Sequence, residues 1–293
     1  MKLTAILLAV AILLALLPGC STTEPAQVAA TTLPVYQFAS ILCQNTDISV
    51  TRLVTASVSC LHDYSLNVSQ VQAVESAQVV ILSGAGLESF MNDLLKNANA
   101  VIDSSEGIEL LTCEDGHDHD SHGHNHHHEA DSHIWLSPAN AKIMASNICD
   151  GLCAQFPAQA DTIRSNLKEL HHKLDELQTY GDQHLAKLAT RELLTFHDGF
   201  SYFAHAFNLT IVEAIEEESG SEASAQELIH LIEVVEHHHL PAIFTETNGS
   251  VSAAAVISRE TGTASFALDM AMGGEDYFAA MYHNIDTIRE ALG

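Results

Sequence analysis

The sequence predicts an α/β protein made of two lobes joined by a long rigid helix. Two observations support this fold. Strand-like and helix-like segments alternate from about residue 26 to the end of the chain, which is typical of parallel sheets covered by helices. One amphipathic segment, from about residue 157 to 187, is longer than a single lobe requires, so we expect it to bridge the two lobes.

The N-terminal residues 1–19 are interpreted as a signal peptide. A lysine at the second position precedes about fifteen apolar residues, a run too short to span a bilayer comfortably. Cys20 follows Leu-Pro-Gly, which resembles the lipidation site of bacterial lipoproteins, and residues 20–25 would be a lipidated tether to the cell membrane. An ordinary cleaved secretory signal is the alternative. Both interpretations place the mature protein outside the cytoplasm.

Residues 26–156 are predicted to form the first lobe. Its first three elements are the strand AQVAATT, the helix PVYQFASILC and the strand ISVTRLV, which together make a βαβ pattern. A capping box from Ser69 to Gln72 is predicted to open the next helix, and a helix from Leu87 to Asn97 to lie between the strands VVILSG and AVID.

A hydrophilic stretch, residues 114–132, interrupts the alternation. It has no apolar periodicity and is interpreted as a mobile histidine-rich loop. After it, Ser137 as N-cap and Pro138 at the first helical position begin a helix. Residues 157–188 form the linking helix, and residues 189–293 repeat the strand and helix alternation as the second lobe.

Charge excludes one class of partner. The chain has 38 acidic and 11 basic residues and a formal net charge of −27. Binding to nucleic acid requires positive charge that displaces phosphate counterions, so no nucleic-acid partner is expected. A negative field instead raises the local concentration of cations near the surface.

The chain has 19 histidines, and ten of them fall into two groups. Three of them stand beside apolar segments: His62 follows the strand ISVTRLV, His197 follows ELLTF, and His133 precedes a helix N-terminus. Ligands of open α/β sheets bind beyond the carboxyl ends of the strands, so these three side chains are predicted to face one cleft between the lobes. The other population crowds into the polar loop: His117, His119, His122, His124, His126, His127 and His128.

Three neutral imidazoles suit a tetrahedral Zn²⁺ site, whereas carboxylate-rich sites suit manganese better. The fourth position is left open among Asp269, which ends the strand ASFAL, water and the thiolate of Cys60. Asp63 or Asp198 is expected to bind the second nitrogen of a ligating ring. The seven loop histidines are interpreted as a weak metal collector, with an accidental solvated tract as the alternative.

Longer motifs carry a resemblance to a known family. They are CLHDYSL, VQAVESAQVVILSGAGLESFM, SHIWLSPANA, FHDGFSYFAHAF, SGSEASAQELIHLIEVVEHHHLPAIFTET, SRETG and ALDMAMGGEDYFAAMYHNIDTI. From about Val28 to Leu292 the chain resembles the zinc-type solute-binding proteins of metal ABC importers, the cluster A-I family. The resemblance implies two α/β lobes, a rigid linking helix and a cleft metal that is handed to a permease driven by a cytoplasmic ATPase.

Carried over by position, His62, His133 and His197 match the family's histidine ligands, and Asp269 matches a carboxylate ligand of some members. Leu61 and Cys60 stand where many members have Pro and Ser before the first ligand, and SEAS replaces a Pro-containing SEPS. The resemblance implies a monomeric binding protein that is not an enzyme and that carries Zn²⁺ as its transported ligand.

Three rival functions remain from the sequence. A manganese-binding importer component resembles the chain less, because such relatives place a carboxylate where this chain has His197. A secreted zinc hydrolase would also use three histidines and a water, but no His-Glu-x-x-His motif occurs. A surface zinc-storage protein or adhesin would keep the fold without the permease.

Overall fold

The computed structural model describes residues 27–55, 61, 64–111, 130–215, 223–247, 249 and 251–293. Several predictions lie outside these residues: the signal peptide, the tether with Cys20, Cys60, His62, Asp63 and all seven loop histidines. Within the described part of the chain, no helix is both long enough and apolar enough to cross a membrane.

The fold contains two four-stranded sheets, and all of their strands run parallel. The prediction of two α/β lobes is therefore confirmed. In the N-terminal lobe the order is β2-β1-β3-β4. Its elements are β1 Val28–Ala30, α1 Leu33–Leu42, β2 Val50–Arg52, α2 Val68–Ser76, β3 Val79–Leu82, α3 Asn92–Leu95, β4 Val101–Asp103 and α4 Pro138–Gln155.

The C-terminal lobe has the matching order β6-β5-β7-β8. It follows the long helix α5, Ala160–His184. Its elements are β5 Glu192–Thr195, α6 Ser201–Ala206, β6 Thr210–Ala214, α7 Ala225–His238, β7 Ala242–Glu246, α8 Ser252–Thr261, β8 Ala264–Leu268 and α9 Tyr277–Leu292. In each sheet the chain adds its second strand on one side of the first strand and its later strands on the other side. The carboxyl ends of the two central strands, β1 and β3 or β5 and β7, therefore form a crevice at this switch point.

Helix α5 connects the lobes, as predicted. Its 25 residues span about 37 Å at 1.5 Å per residue, somewhat less than a helix from 157 to 187 would, because residues 157–159 form a separate 3₁₀ turn. Its apolar stripe is buried, and the helix packs on α1 and α4 of the N-terminal lobe and on α9 of the C-terminal lobe. A single helix thus contacts both lobes along its length.

The lobes also share one hydrophobic core. Phe38 of α1 meets Tyr277 of α9 edge to face, with ring centroids 5.0 Å apart. Trp135, fully buried, donates its indole N–H to the carbonyl of Met270 at 2.8 Å, and the Tyr277 hydroxyl donates to the carbonyl of Trp135 at 2.7 Å. Because these contacts cross between the lobes, large separation of the lobes would expose apolar surface and break buried hydrogen bonds.

Two local predictions were wrong. The capping box that opens α2 is formed by Asn67 and Gln70, not by Ser69 and Gln72, because the extended backbone at Asn67 lets its side chain accept the Gln70 N–H. The helix predicted from residue 87 to 97 is a 3₁₀ turn followed by the short α3. Glu88 points inward instead of continuing a helix, and its carboxylate accepts the backbone N–H groups of Ser83 and Gly84.

The cysteines that the structure describes are free thiols. Cys43, Cys149 and Cys153 are all buried. The sulfur atoms of Cys149 and Cys153 lie 4.0 Å apart on one face of α4, and both side chains belong to the hydrophobic core.

The buried carboxyl of Glu88 should make the stability of the protein depend on pH. Burial raises the pKa of its carboxyl from 4.5 to about 7, although hydrogen bonds from Thr31, Ser83 and Gly84 lower it. A raised carboxyl pKa stabilises the folded protein below pH 4.5, and that contribution is lost as the pH rises through about 7. We expect Glu88→Gln to flatten the decline in unfolding free energy between about pH 5 and pH 8 by up to about 3 kcal/mol.

Urea denaturation at the two pH values measures this difference. Glu236→Gln, at an exposed position of α7, is the control and should keep the pH slope of the wild type. Equal slopes for wild type and Glu88→Gln would contradict a raised pKa for Glu88.

Candidate metal centre

His197 is positioned by the central strand of the C-terminal lobe. It lies two residues beyond the end of β5, at the switch point beside β7. The Thr195 hydroxyl donates to its carbonyl at 3.1 Å, and a Cβ at Gly199 would lie 2.5 Å from the imidazole Cδ2. Only glycine therefore fits at position 199 without displacing the ring.

His133 enters the same place from the N-terminal lobe. It lies just before the 3₁₀ turn Ile134–Leu136, whose end leads into α4 through the N-cap Ser137. Its ring is buried and meets the indole of Trp135 edge to face, with centroids 5.4 Å apart. The predicted capping of α4 by Ser137 and Pro138 is confirmed, and it orients the segment that carries His133.

The two imidazoles face each other through their Nε2 atoms. These atoms are 3.3 Å apart, and the rings are nearly perpendicular, with an interplanar angle of 88°. Two nitrogen ligands about 2.0–2.1 Å from a tetrahedral ion are separated by about 3.3–3.4 Å. The spacing of His133 and His197 therefore matches two adjacent corners of a tetrahedral metal site.

A carboxylate lies behind each ring. Asp131 Oδ1 is 2.8 Å from Nδ1 of His133 and also accepts its backbone N–H at 2.9 Å. Glu246, the last residue of β7, places Oε1 3.0 Å from Nδ1 of His197. When Nδ1 of a neutral imidazole donates to a carboxylate, Nε2 carries the lone pair, so a carboxylate at Nδ1 leaves Nε2 of each ring available to a metal ion.

The electrostatics of the site favour a cation. Burial lowers the pKa of His197, but the contact with Glu246 and the charges of Glu246, Asp198 and Asp131 raise it, and the pKa ends above its usual value. The carboxylates that hold a proton on this ring attract a metal ion for the same reason. Protons and metal therefore compete for Nε2 of His197.

The sequence did not identify Asp131 and Glu246 as partners of these rings. It suggested Asp63 or Asp198, which are adjacent in sequence to a predicted ligand. For His197 the structure shows Glu246 at Nδ1, while Asp198 acts through its charge. Glu246 comes from the next strand of the sheet, and the usable signal was an acidic residue that ends the buried strand AIFTE beside β5.

Asp269 borders the site without reaching the histidine pair in any contact that the structure describes. Its Oδ1 accepts the backbone N–H of Ala271 at 2.7 Å, and its own N–H donates to Asn284 at 2.7 Å. Among the described residues, no three His, Cys, Asp or Glu side chains surround a common point. His62 lies outside the described residues, so the third histidine and the fourth ligand stay predictions.

Comparison with known proteins identifies related sequences. The family model described as the periplasmic zinc-uptake complex component A, ZnuA, matches residues 28–291. Zinc-binding protein AdcA of Streptococcus pyogenes is 27% identical over 90% of this chain and 55% of its own length. Zinc-binding lipoprotein AdcA of Streptococcus pneumoniae is also 27% identical, over 94% of this chain and 58% of its own. The chain thus spans about half the length of these curated relatives.

A solved structure gives the same fold. The crystal structure of a ZnuA has a TM-score of 0.79 and 30% sequence identity to this chain, and the similarity covers 92% of this chain and 100% of that one. The likeness includes both lobes and the helix between them.

Removing the charge of either carboxylate behind the rings should weaken metal binding. We expect Asp131→Asn and Glu246→Gln each to lower the affinity for Zn²⁺ by about 10- to 100-fold, because each ring loses the partner that fixes its tautomer and orientation. Competition with a chromophoric chelator measures the affinity.

Glu192→Gln is the matched control, since Glu192 also pairs with a histidine, His238 at 3.1 Å, but lies at the start of β5, whereas His197 follows its end. It should bind Zn²⁺ like the wild type. If Asp131→Asn and Glu246→Gln also kept the affinity of the wild type, the carboxylates would have no role in metal binding.

Proposed function

Because this chain belongs to the ZnuA family of periplasmic zinc-uptake components, we propose that it binds Zn²⁺ outside the cytoplasm as a solute-binding protein. The observation that carries the proposal is the Nε2 pair of His133 and His197, 3.3 Å apart and backed by two buried carboxylates. This geometry suits a small cation with nitrogen ligands. In the contacts that the structure gives for the described part of the chain, the two rings meet carboxylates, Trp135 and each other rather than a serine, threonine or cysteine, so binding rather than catalysis is the proposed activity.

His62 is proposed as the third ligand. It follows β2 in sequence, and parallel strands present their carboxyl ends at one edge of the sheet, which favours its approach to the pair from the N-terminal lobe. The fourth position is proposed for Asp269 or water. The contact of Asp269 with Ala271 uses one carboxylate oxygen and is compatible with either alternative.

Zinc is preferred over manganese on chemical grounds. The two described ligand atoms are imidazole nitrogens, and the carboxylates at the site bind Nδ1 of the rings. Nitrogen-rich tetrahedral sites suit Zn²⁺, whereas Mn²⁺ favours more oxygen ligands.

Delivery to a membrane importer is the proposed role of the bound zinc. The partners would be an ABC permease and its cytoplasmic ATPase, and the protein would be a monomer anchored through lipid on Cys20. The family description as a zinc-uptake component supports this role, and the name of the pneumococcal relative as a lipoprotein supports the anchor.

Capture is proposed to involve limited closure of the lobes. Helix α5 packs on both lobes, and the hydrogen bonds of Trp135 cross between them. A wide hinge motion would break these contacts, so the permease would release zinc by disturbing a ligand or the loop that carries it.

Substitution of the histidines tests the site. Each of His62→Ala, His133→Ala and His197→Ala should lower the affinity for Zn²⁺ by more than about 100-fold, since loss of an outer partner alone costs about 10- to 100-fold. Competitive titration with Zn²⁺ and Mn²⁺ measures both affinity and preference.

His172→Ala, an exposed residue of α5 that pairs with Glu176, is the control and should bind like the wild type. If tight zinc binding survived each of the three cleft substitutions, the assignment of these histidines as metal ligands would be wrong. If the wild type bound Mn²⁺ more tightly than Zn²⁺, the proposed preference for zinc would be wrong.

Deletion of residues 114–129 separates the two histidine populations. The deletion removes all seven loop histidines and leaves Asp131 and His133 in place. We expect it to abolish weak zinc binding and to leave one tight site, because closely spaced imidazoles without a rigid scaffold bind metal weakly. Isothermal titration counts both classes of site. Loss of the tight site would contradict the assignment of tight binding to the cleft histidines and weak binding to the loop histidines.

A further inference from the structure

Tyr202 connects the two lobes at the base of the site. It belongs to α6 of the C-terminal lobe and is 3% exposed. Its hydroxyl accepts the backbone N–H of Leu111 at 2.9 Å and donates to the backbone carbonyl of Asp131 at 3.0 Å. One phenol thus binds two chain segments that are 20 residues apart in sequence and come from the other lobe.

Those two segments also bind each other. The backbone N–H of Asp131 donates to the carbonyl of Leu111 at 3.0 Å. With the Tyr202 hydroxyl, this bond restrains both peptide groups next to Asp131. The position of the Asp131 backbone is therefore set from the C-terminal lobe.

Asp131 transmits this restraint to the metal-facing ring. Its Oδ1 binds both the backbone N–H and Nδ1 of His133, so the carboxylate orients the imidazole directly. After His133, the next interlobe contacts are those of Trp135. His133 is thus held between an anchor two residues before it and another two residues after it.

The other ring depends on the same segment of chain. Tyr202 lies five residues after His197. Phe200, which lies between them, and Phe203, which follows Tyr202, are fully buried. This short segment carries one imidazole and also the hydroxyl that secures the carboxylate behind the other imidazole.

We propose that Tyr202 is a positioning residue for metal binding, which sets the spacing of His133 and His197 by holding Asp131. The proposal rests on the proposed function, since it assumes that these two rings bind Zn²⁺. Tyr202 does not touch the metal. Without its hydroxyl, the Leu111 N–H and the Asp131 carbonyl lose a buried partner, and the Asp131 and His133 unit is free to shift away from the spacing that a tetrahedral ion needs.

Tyr202→Phe removes only the hydroxyl. We expect the affinity for Zn²⁺ to fall by about 3- to 10-fold, less than for Asp131→Asn, because the carboxylate stays in place and only the two hydrogen bonds of the hydroxyl are lost. Co²⁺ is a spectroscopic probe of the same site, and its visible absorption should lose the intensity that tetrahedral coordination produces. A tyrosine that only stabilised the fold would lower thermal stability and leave the Co²⁺ spectrum unchanged.

A double-mutant cycle tests the route through Asp131. If Tyr202 acts by holding Asp131, the variant with both Tyr202→Phe and Asp131→Asn should bind zinc about as weakly as Asp131→Asn alone. Full additivity of the two losses would overturn the proposed route. Tyr180→Phe is the matched control, since the Tyr180 hydroxyl donates to Asp286 at 2.9 Å, between α5 and α9. It should leave affinity and spectrum unchanged.

The outcomes distinguish the two proposals. If the wild type bound no zinc tightly, or bound it equally well with His197→Ala, the proposed function would fail. If His197→Ala abolished tight binding while Tyr202→Phe kept the affinity and spectrum of the wild type, only the role of Tyr202 would fail. Should Tyr202→Phe prove unstable, the rise in melting temperature on adding Zn²⁺, compared with that of the wild type, reports the affinity of the folded fraction, and an equal rise would count against the proposal.

Discussion

Two imidazole nitrogens, one from each lobe, lie 3.3 Å apart at the lobe interface, and the rest of the site is organised around them. The spacing persists because each ring is fixed from behind, His133 by Asp131 and His197 by Glu246. Rings that are fixed in this way lose little freedom when a metal binds, which reduces the ordering cost of binding.

The spacing of the two Nε2 atoms requires that the lobes keep their relative position. An error of about 1 Å between the lobes would separate the two nitrogens beyond the reach of one tetrahedral ion. The shared core, helix α5 and the hydrogen bonds of Trp135 and Tyr277 supply that rigidity. The structure resembles one body with a narrow cleft more than two domains on a flexible hinge.

Much of the fold was predictable because periodicity depends on local sequence. The alternation of strands and helices, the amphipathic stripe of α5 and the N-cap at Ser137 all follow from residues near one another in the chain. Local errors arose where a side chain served a distant contact. Glu88 turns inward to the end of β3 instead of continuing a helix, and Asn67 rather than Ser69 begins α2.

For the site, the sequence by itself indicated which histidines to consider, since His133 and His197 stand at predicted element ends and resemble ligands of a known family. It also determined the acidic character that favours a cation. Only the tertiary structure decided which carboxylates support the rings, because Glu246 reaches His197 across neighbouring strands of the sheet, and it alone placed Tyr202 against Asp131. Contacts between residues far apart in sequence depend on how the two sheets and α5 pack, and no local pattern encodes that distance.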